Sequence, residues 1–410
     1  MTVQWFLPNR HPEFGKPLAA VDAETLGPAA ARKVEHFLGR RDDHAPTPLH
    51  ALPALAADLG IAALHIKDEG FRLGLGSFKA LGGSYAVIRL ALELASRQLG
   101  EAVDVADLNR PDLRAIAAGM TFACATDGNH GRSVAMGAEV IGAKAAIFVH
   151  AGVSDARIAA IARFGARIIR VTGTYDDSVA EAARVSKAQG WCVVSDTSWP
   201  GYERIPGLVM QGYTALVQEA LRALPALPTH VFIQAGVGGI AAAVGGHLAV
   251  LLAERRPRIV VVDPARAACL FESARAGHPV KVPHGAPTVM AMLECYEPSG
   301  VAWRILSRVA DAFMTVEDDD AVAAMNRLAR PLPGDPAVVA GESGGAGLAG
   351  LMRAGADSEV RNALGLDGSA RVLIINTEGA TDPARYAELV KMTPQDVLSK
   401  ACTPGKGTVA

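Results

Sequence analysis

The chain has 410 residues, half of them apolar, with 40 basic side chains against 42 acidic ones and a net charge of −2. That length exceeds one compact core of ordinary size, so two domains are expected. No basic run of the kind that tracks phosphate backbones or anionic lipid occurs, which excludes nucleic acid and membrane surfaces as partners. No stretch of about 18 apolar residues is present, and "MTVQWFLPNRHPEFG" lacks the uninterrupted apolar core of a signal peptide, so the cytoplasm is the expected compartment.

Short apolar runs recur along the chain: "ALHIK" (63–67), "TFACA" (121–125), "AAIFV" (145–149), "RIIRV" (167–171), "WCVVS" (191–195), "HVFIQ" (230–234), "RIVVV" (258–262) and "RVLIIN" (371–376). They do not alternate, which predicts strands buried on both faces. Ala-rich stretches of helical spacing lie between them, among them "DARIAAIARFG" and "SVAEAARVSKAQG", each closed by a glycine where a C-cap belongs. Alternating strand and helix predicts an α/β protein with parallel sheet. The Pro-bearing segments 198–207 and 224–230 are the candidate crossings between domains, and the tail "TPGKGTVA" is expected to fray. Five cysteines, Cys124, Cys192, Cys269, Cys295 and Cys402, form no CxxC pair; scattered and odd in number, they read as reduced thiols that hold no metal.

Three stretches carry chemistry. In "LGLGSFKALGG" (73–83) Lys79 opens a helix among glycines. Cations disfavour that end of a helix. The same field, with partial burial, lowers a lysine's pKa toward the neutral amine that Schiff-base chemistry or proton abstraction needs. Taken alone, a surface lysine packing its stem over glycines accounts for the stretch as well.

The polar loop "ATDGNHGRSVA" (125–135) follows a predicted strand and opens a helix. Its small and Asx residues expose N–H groups to an anion, Asn129 can bond a planar ligand and Asp127 can accept a proton. An Asp-Gly turn capped by Asn129 or His130 is the plainer alternative. "QAGVGGIAAAVGG" then places Gly236, Gly238 and Gly239 between a strand and a small-residue helix, a phosphate-type loop that is neither GxGxxG nor GxxxxGK[ST]; close packing of helix on strand explains the glycines nearly as well. All three stretches sit at the C-terminal ends of predicted strands, where α/β folds bind ligands. A lysine-tethered, phosphorylated cofactor fits the set, and pyridoxal 5′-phosphate (PLP) uses both anchors.

The blocks "KDEGFRLGLGSFKALGG", "ATDGNHGRSVA", "SDTSWPGYERIPGLVMQGY", "QAGVGG", "GESGGAGL" and "INTEGATD" occur in one order between "TPLHALPALA" (47–56) and residue 382. They resemble the signature blocks of the diaminopropionate ammonia-lyases, in the threonine dehydratase and tryptophan synthase β superfamily of fold type II PLP enzymes. The resemblance implies two domains, each a mainly parallel sheet flanked by helices with the cofactor in the cleft between: a large one of residues 1–88 and 211–410 and a small one of 89–210. It implies that Lys79 binds PLP covalently and removes the substrate's α-proton, that Asn129 sits by the cofactor's 3′ oxygen, that Gly236, Val237, Gly238, Gly239 and Ile240 hold its phosphate, and that Thr377 bonds its ring nitrogen. Ser77, Thr126, Asp127, His130 and Asp196 would bind substrate. Asp127 and Asp196 would receive the cationic β-amine, pass a proton to it as it leaves, or act as base on the opposite face for the D isomer. Their plainer roles are an Asx turn for Asp127 and an N-cap for Asp196.

The activity implied is α,β-elimination of 2,3-diaminopropionate to pyruvate and two ammonia by way of aminoacrylate, in a homodimer. Three other readings stand beside it: a dehydratase for threonine, serine, 3-hydroxyaspartate or another β-substituted alanine, a catalytically silent PLP-binding protein, and a nucleotide-binding dehydrogenase, the last opposed by the missing GxGxxG. Glu342 and Glu378 are left outside the catalytic set, as groups that orient the cofactor or loop or are simply solvated. In "MAMLECYEPSG" (290–300), Glu294 and Tyr296 replace small residues of the family's "ACGEP" pattern, which makes the pocket narrower or more acidic if that loop lines it.

Overall fold

The computed structural model describes residues 4–126 and 128–401, so Asp127, Cys402 and the tail 403–410 lie outside the described residues. Eleven strands are present among the described residues. Seven form one sheet in the order β1-β10-β9-β8-β11-β3-β2, with β1 Phe6–Pro8, β2 Leu49–Ala51, β3 Ala63–Asp68, β8 His230–Gln234, β9 Arg258–Pro264, β10 Ala312–Val316 and β11 Arg371–Asn376. The five inner strands are parallel; β1 and β2 pair antiparallel at the two edges. The other four, β4 Thr121–Ala125, β5 Lys144–His150, β6 Arg167–Val171 and β7 Cys192–Val193, form a parallel sheet in the order β6-β5-β4-β7.

All eight predicted strands are present, and the continuous apolar runs have the expected cause. Every residue of β8 and β10 is buried, because helices cover both faces. "RIIRV" is the exception: β6 is an edge strand whose residues are half-buried or exposed. "WCVVS" shortens to the two residues of β7. Three strands have no predicted counterpart. β1 and β2 are three residues long, too short for any period to show, whereas "AFMTV" of β10 has the same apolar run as its neighbours. Of the two expected glycine caps, Gly190 closes the helix Tyr175–Gln189 in the left-handed region at φ 68°. The helix Asp155–Ala162 instead ends at Arg163, and Gly165 turns the chain two residues later at φ 69°.

The helix Lys79–Leu99 lies between two others, and its paired glycines have a packing role rather than a ligand. A Cβ on Gly82 would stand 2.5 Å from the Tyr213 ring and 2.7 Å from Val209 O; one on Gly212 would stand 2.6 Å from Leu81 O. Gly82 and Gly212 therefore let this helix press against Arg204–Ala223. On its other side Gly83 abuts Ser133 and Gly137 abuts Ser84, bringing in the helix Asn129–Ile141.

A buried group of charges ties β3 to the same region. Arg72 bonds both Glu69 and Glu219, Lys67 bonds Glu219 at 2.6 Å, and Thr47 Oγ1 donates to Glu69 at 2.7 Å. Two cations face two anions, so each buried charge has a partner, and this accounts for "KDEGFR" without a ligand. Four cysteines form no disulfide among the described residues, Cys124 and Cys269 being buried and Cys192 and Cys295 half-buried. No helix among the described residues is long and apolar enough to cross a membrane.

Candidate active site

Adjacent strand ends assemble the site. In the four-stranded sheet the order reverses between β4 and β7, the switch point at which parallel sheets open a crevice. The loop after β4 carries Thr126, Asn129 and His130, and the chain after β7 carries Asp196. In the large sheet β3, β11 and β8 are neighbours, and their ends lead to Lys79, Thr377 and the glycine loop respectively.

Lys79 is the first residue of its helix. Its Nζ is ion-paired and hydrogen-bonded to Asp196 Oδ2, with the two side chains 20% and 18% exposed. The expected neutral amine is not what this arrangement gives. Burial pulls the Lys79 pKa down, but the Asp196 charge, helped by Tyr213 and by the bond itself, outweighs it and holds the ammonium well above its ordinary range. Burial likewise pushes Asp196 up, and Lys79, then His130, hold it well below the usual carboxylate range. Nor is Asp196 an N-cap: the next helix begins at Arg204, eight residues on.

His130 is buried, with Nε2 2.8 Å from Val194 O. Its Nδ1 has no hydrogen-bond partner among the described residues and lies 4.0 Å from Asp196 Oδ2. Burial, opposed by Asp196, lowers its pKa, which keeps the ring neutral. Thr126 Oγ1 accepts the N–H groups of Gly128 and Gly131 at 3.0 and 3.1 Å, so threonine makes the turn that opens the helix. A Cβ on Gly131 would fall 2.4 Å from Thr126 Cγ2.

The segment 76–78 runs beside 377–379. Phe78 N donates to Thr377 O at 2.9 Å, Gly379 N donates to Gly76 O at 3.0 Å, and Ser77 pairs with Glu378 in an antiparallel bridge. Ser77 Oγ is buried without a partner among the described residues. Thr377 Oγ1 accepts from Gln234 Nε2 at 2.8 Å, which leaves its own proton free to donate elsewhere. Gln234, wholly buried at the end of β8, was not anticipated. A polar residue closing an otherwise apolar strand was the available signal. Tyr213 was not anticipated either: its ring centre is 4.8 Å from that of Phe78, with the two rings tilted at 59°, which sets it beside Lys79.

After Gln234 the glycine loop enters the helix Gly239–Leu252. Gly238 has φ +97°, and a Cβ there would press on Ala302 and Leu270; one on Gly236 would stand 2.9 Å from Cys295 Sγ. Among the described residues, the N–H groups of Gly236, Val237, Gly238, Gly239 and Ile240 make no hydrogen bond, so the turn and the positive end of the helix are free for an anion. The loop meets the rest of the site, since a Cβ on Gly239 would lie 3.7 Å from Asp196 O and Ser299 N donates to Val237 O at 2.9 Å.

A model of the pyridoxal-phosphate dependent enzyme family matches residues 40–378. The chain belongs to that family. Within it, the diaminopropionate ammonia-lyase of Salmonella typhimurium is 40% identical over 364 residues, 86% of this chain and 90% of that one. The diaminopropionate ammonia-lyase of Escherichia coli K12 is 38% identical over 368 residues, 88% and 91% of the two chains. The crystal structure of the Escherichia coli lyase in complex with an aminoacrylate-PLP azomethine reaction intermediate superposes with a TM-score of 0.83 at 35% identity, covering 94% of this chain and 96% of that one. The architecture is thus fold type II, and the cofactor is PLP.

The residues present fit that cofactor. A lysine amine, a glycine cradle with free N–H groups and a threonine hydroxyl oriented by Gln234 are what PLP's aldehyde, phosphate and ring nitrogen require. Asn129, by contrast, donates from Nδ2 to Glu378 Oε2 at 2.7 Å. Glu378 and Glu342 are both buried, which overturns their reading as solvated groups. Glu294 and Tyr296 are half-buried and answer each other: Tyr296 OH donates to Glu294 Oε1 at 2.6 Å, and Thr288 N donates to Oε2 at 3.2 Å. Both carboxylate oxygens are therefore occupied within their own loop.

Behind the glycine loop, Asp263 at the end of β9 accepts from Leu270 N and Phe271 N at 2.9 Å through Oδ2, while Oδ1 has no partner among the described residues. Burial pushes its pKa up to about 8, against those two bonds. The folded protein therefore binds this proton more tightly than the unfolded chain, and the stability it confers is lost as pH rises from about 4 toward 8. Asp263→Asn keeps the acceptor and removes the proton. Between roughly pH 5 and 8 the variant should gain on the order of 4 kcal/mol relative to the parent, read from unfolding curves at the two pH values. Equal pH dependence in both proteins would show that Asp263 is ionised when folded.

Proposed function

We propose that this chain eliminates the β-amine of 2,3-diaminopropionate as a first ammonia, releasing aminoacrylate that takes up one water to give pyruvate and a second ammonia. The observation that carries this is the half-buried Lys79–Asp196 pair beside a free glycine cradle. PLP, when bound, supplies the sink for the electron pair left on the α-carbon. Lys79 would hold it and take the α-proton at Nζ; the glycine loop from Gly236 to Ile240 would hold its phosphate, and Asn129 and Thr377 would bond its 3′ oxygen and its ring nitrogen.

A β-ammonium group needs a carboxylate partner, and Asp196, already facing one ammonium, takes that part. The β-ammonium departs as ammonia with the C–N electron pair, so the α-proton stays on Lys79 Nζ and Asp196 holds the ammonium that results; neutral His130, whose Nε2–H donates to Val194 O, turns a bare Nδ1 toward the site as an acceptor. Ser77 and Thr126, flanking Lys79 and the Asn129 helix, offer hydroxyls to the substrate. Asp127 is the second carboxylate of this reading by its place in the sequence. The reading extends to a homodimer working in the cytoplasm and to a division into residues 1–88 with 211–410 and residues 89–210, supported by the confinement of the four-stranded sheet to residues 121–193.

The test is to supply 2,3-diaminopropionate, threonine and serine in turn and to follow pyruvate or 2-oxobutyrate through coupled NADH oxidation. The diamine should be turned over fastest. Turnover of the hydroxyamino acids alone would replace this reading with a dehydratase, and PLP binding without turnover would leave a silent binding protein.

A further inference from the structure

Glu378 brings a second side chain into the site from the Thr377 segment. Its backbone is pinned opposite Ser77, two residues from Lys79, and its side chain is buried. Oε2 accepts from Asn129 Nδ2 at 2.7 Å, with Thr381 Oγ1 at 3.4 Å from the same oxygen. Oε1 is buried without a partner among the described residues, as is Ser77 Oγ. The glycines of "GESGGAGL" let the 376–379 segment lie close against them. A Cβ on Gly341 would stand 2.6 Å from Gly379 O, with Glu378 Cγ and Oε1 in contact at 3.4 Å, and one on Gly344 would collide with Glu378 O at 2.2 Å. A carboxyl enclosed so closely and left half satisfied costs stability, which directs attention to what it does.

An asparagine amide has a donor edge and an acceptor edge. An ionised Glu378 can only accept, so it holds the donor edge of Asn129; a protonated one can donate, and can then hold the acceptor edge instead. We propose that Glu378 is a positioning residue whose charge state sets which edge of the Asn129 amide faces the 3′ oxygen of bound PLP. This rests on the proposed placement of PLP between Lys79 and Asn129.

The charged groups that act on Glu378 are Glu342 from the "GESGGAGL" turn, Arg157 from the helix Asp155–Ala162 and Arg132 from the helix Asn129–Ile141. Glu342 is itself balanced by Arg157, Asp382 and Arg385. Burial first, then Glu342, push Glu378 up to about 7, against the Asn129 bond and Arg157, so both charge states are accessible at neutral pH.

The experiment titrates the visible absorbance of the substrate-free holoenzyme from roughly pH 6 to 9 in the parent, Glu378→Gln, Asn129→Ala and the double variant, and measures kcat and KM in each. The parent band should change with a midpoint near neutrality. Glu378→Gln should still bind PLP but lose that midpoint, with kcat down about tenfold, the scale of one charged hydrogen bond, and KM within about twofold. In the Asn129→Ala background, Glu378→Gln should add nothing further. A midpoint retained in Glu378→Gln, or effects that add across the two sites, overturns the proposal. If Glu378→Gln does not fold, Asn129→Ala decides alone: it must lose the midpoint, and keeping it overturns the proposal. A band that persists in Lys79→Ala would instead fault the placement of PLP, whatever Glu378 does.

Discussion

Lys79→Ala yields a protein without the visible band of lysine-bound PLP and with turnover of 2,3-diaminopropionate reduced by roughly 10⁴-fold or more, because one change removes both the covalent anchor and the base. The same change strips Asp196 of its counter-charge, so a loss of activity by itself would not separate chemistry from folding. Lys79→Arg separates them. Arginine keeps a cation opposite Asp196 and thus the fold, yet offers no amine for the aldehyde, so thermal stability should stay near the parent's while the band is absent. Spectra and melting curves of the two variants decide the matter. A band that survives in either would remove Lys79 from the centre of the site.

Asp196→Asn should lower kcat/KM for the diamine by roughly 10²- to 10³-fold. Two effects contribute. The substrate's β-ammonium loses its carboxylate, and Lys79 loses the main charge that opposes burial, so its pKa is drawn down and it becomes a weaker base for the α-proton. Serine, whose leaving group is a neutral hydroxyl, suffers only the second effect. The diamine should therefore fall further than serine. An equal fall for both would mean that Asp196 acts through Lys79 and never meets the substrate's second amine.

The large-scale architecture was legible because fully covered strands leave a crude mark. "HVFIQ" and "RVLIIN" have no polar face to show, and the helices between them supply the cover. "AFMTV" bore the same mark, and only the edge strands Phe6–Pro8 and Leu49–Ala51 were beyond any period. The site was legible where a residue type had an unusual local setting, as with a lysine at a helix start or glycines after a strand. It was obscure where the meaning lies in a partner far away in the chain. Asp196 looks like a cap until Lys79 is placed beside it, 117 residues earlier. Glu378 looks solvated until the glycines at 341 and 344 close over it. Gly82 and Gly83 look like part of the lysine's ligand site until Gly212 and Ser133 are found pressed against them.

The order of the large sheet has a consequence for how the molecule is made. β11 lies between β3 and β8, so the middle of the sheet is completed by its last strand. While the chain leaves the ribosome, β3 waits for more than three hundred residues with one long edge unpaired, and β8 waits beside it with an apolar flank facing water. Neither Thr377 nor Glu378 can reach Lys79 before that strand arrives. The nascent chain therefore carries Lys79 through most of its synthesis without a finished pocket around it, and a ligand held between Lys79 and Thr377 has to wait until that strand has paired.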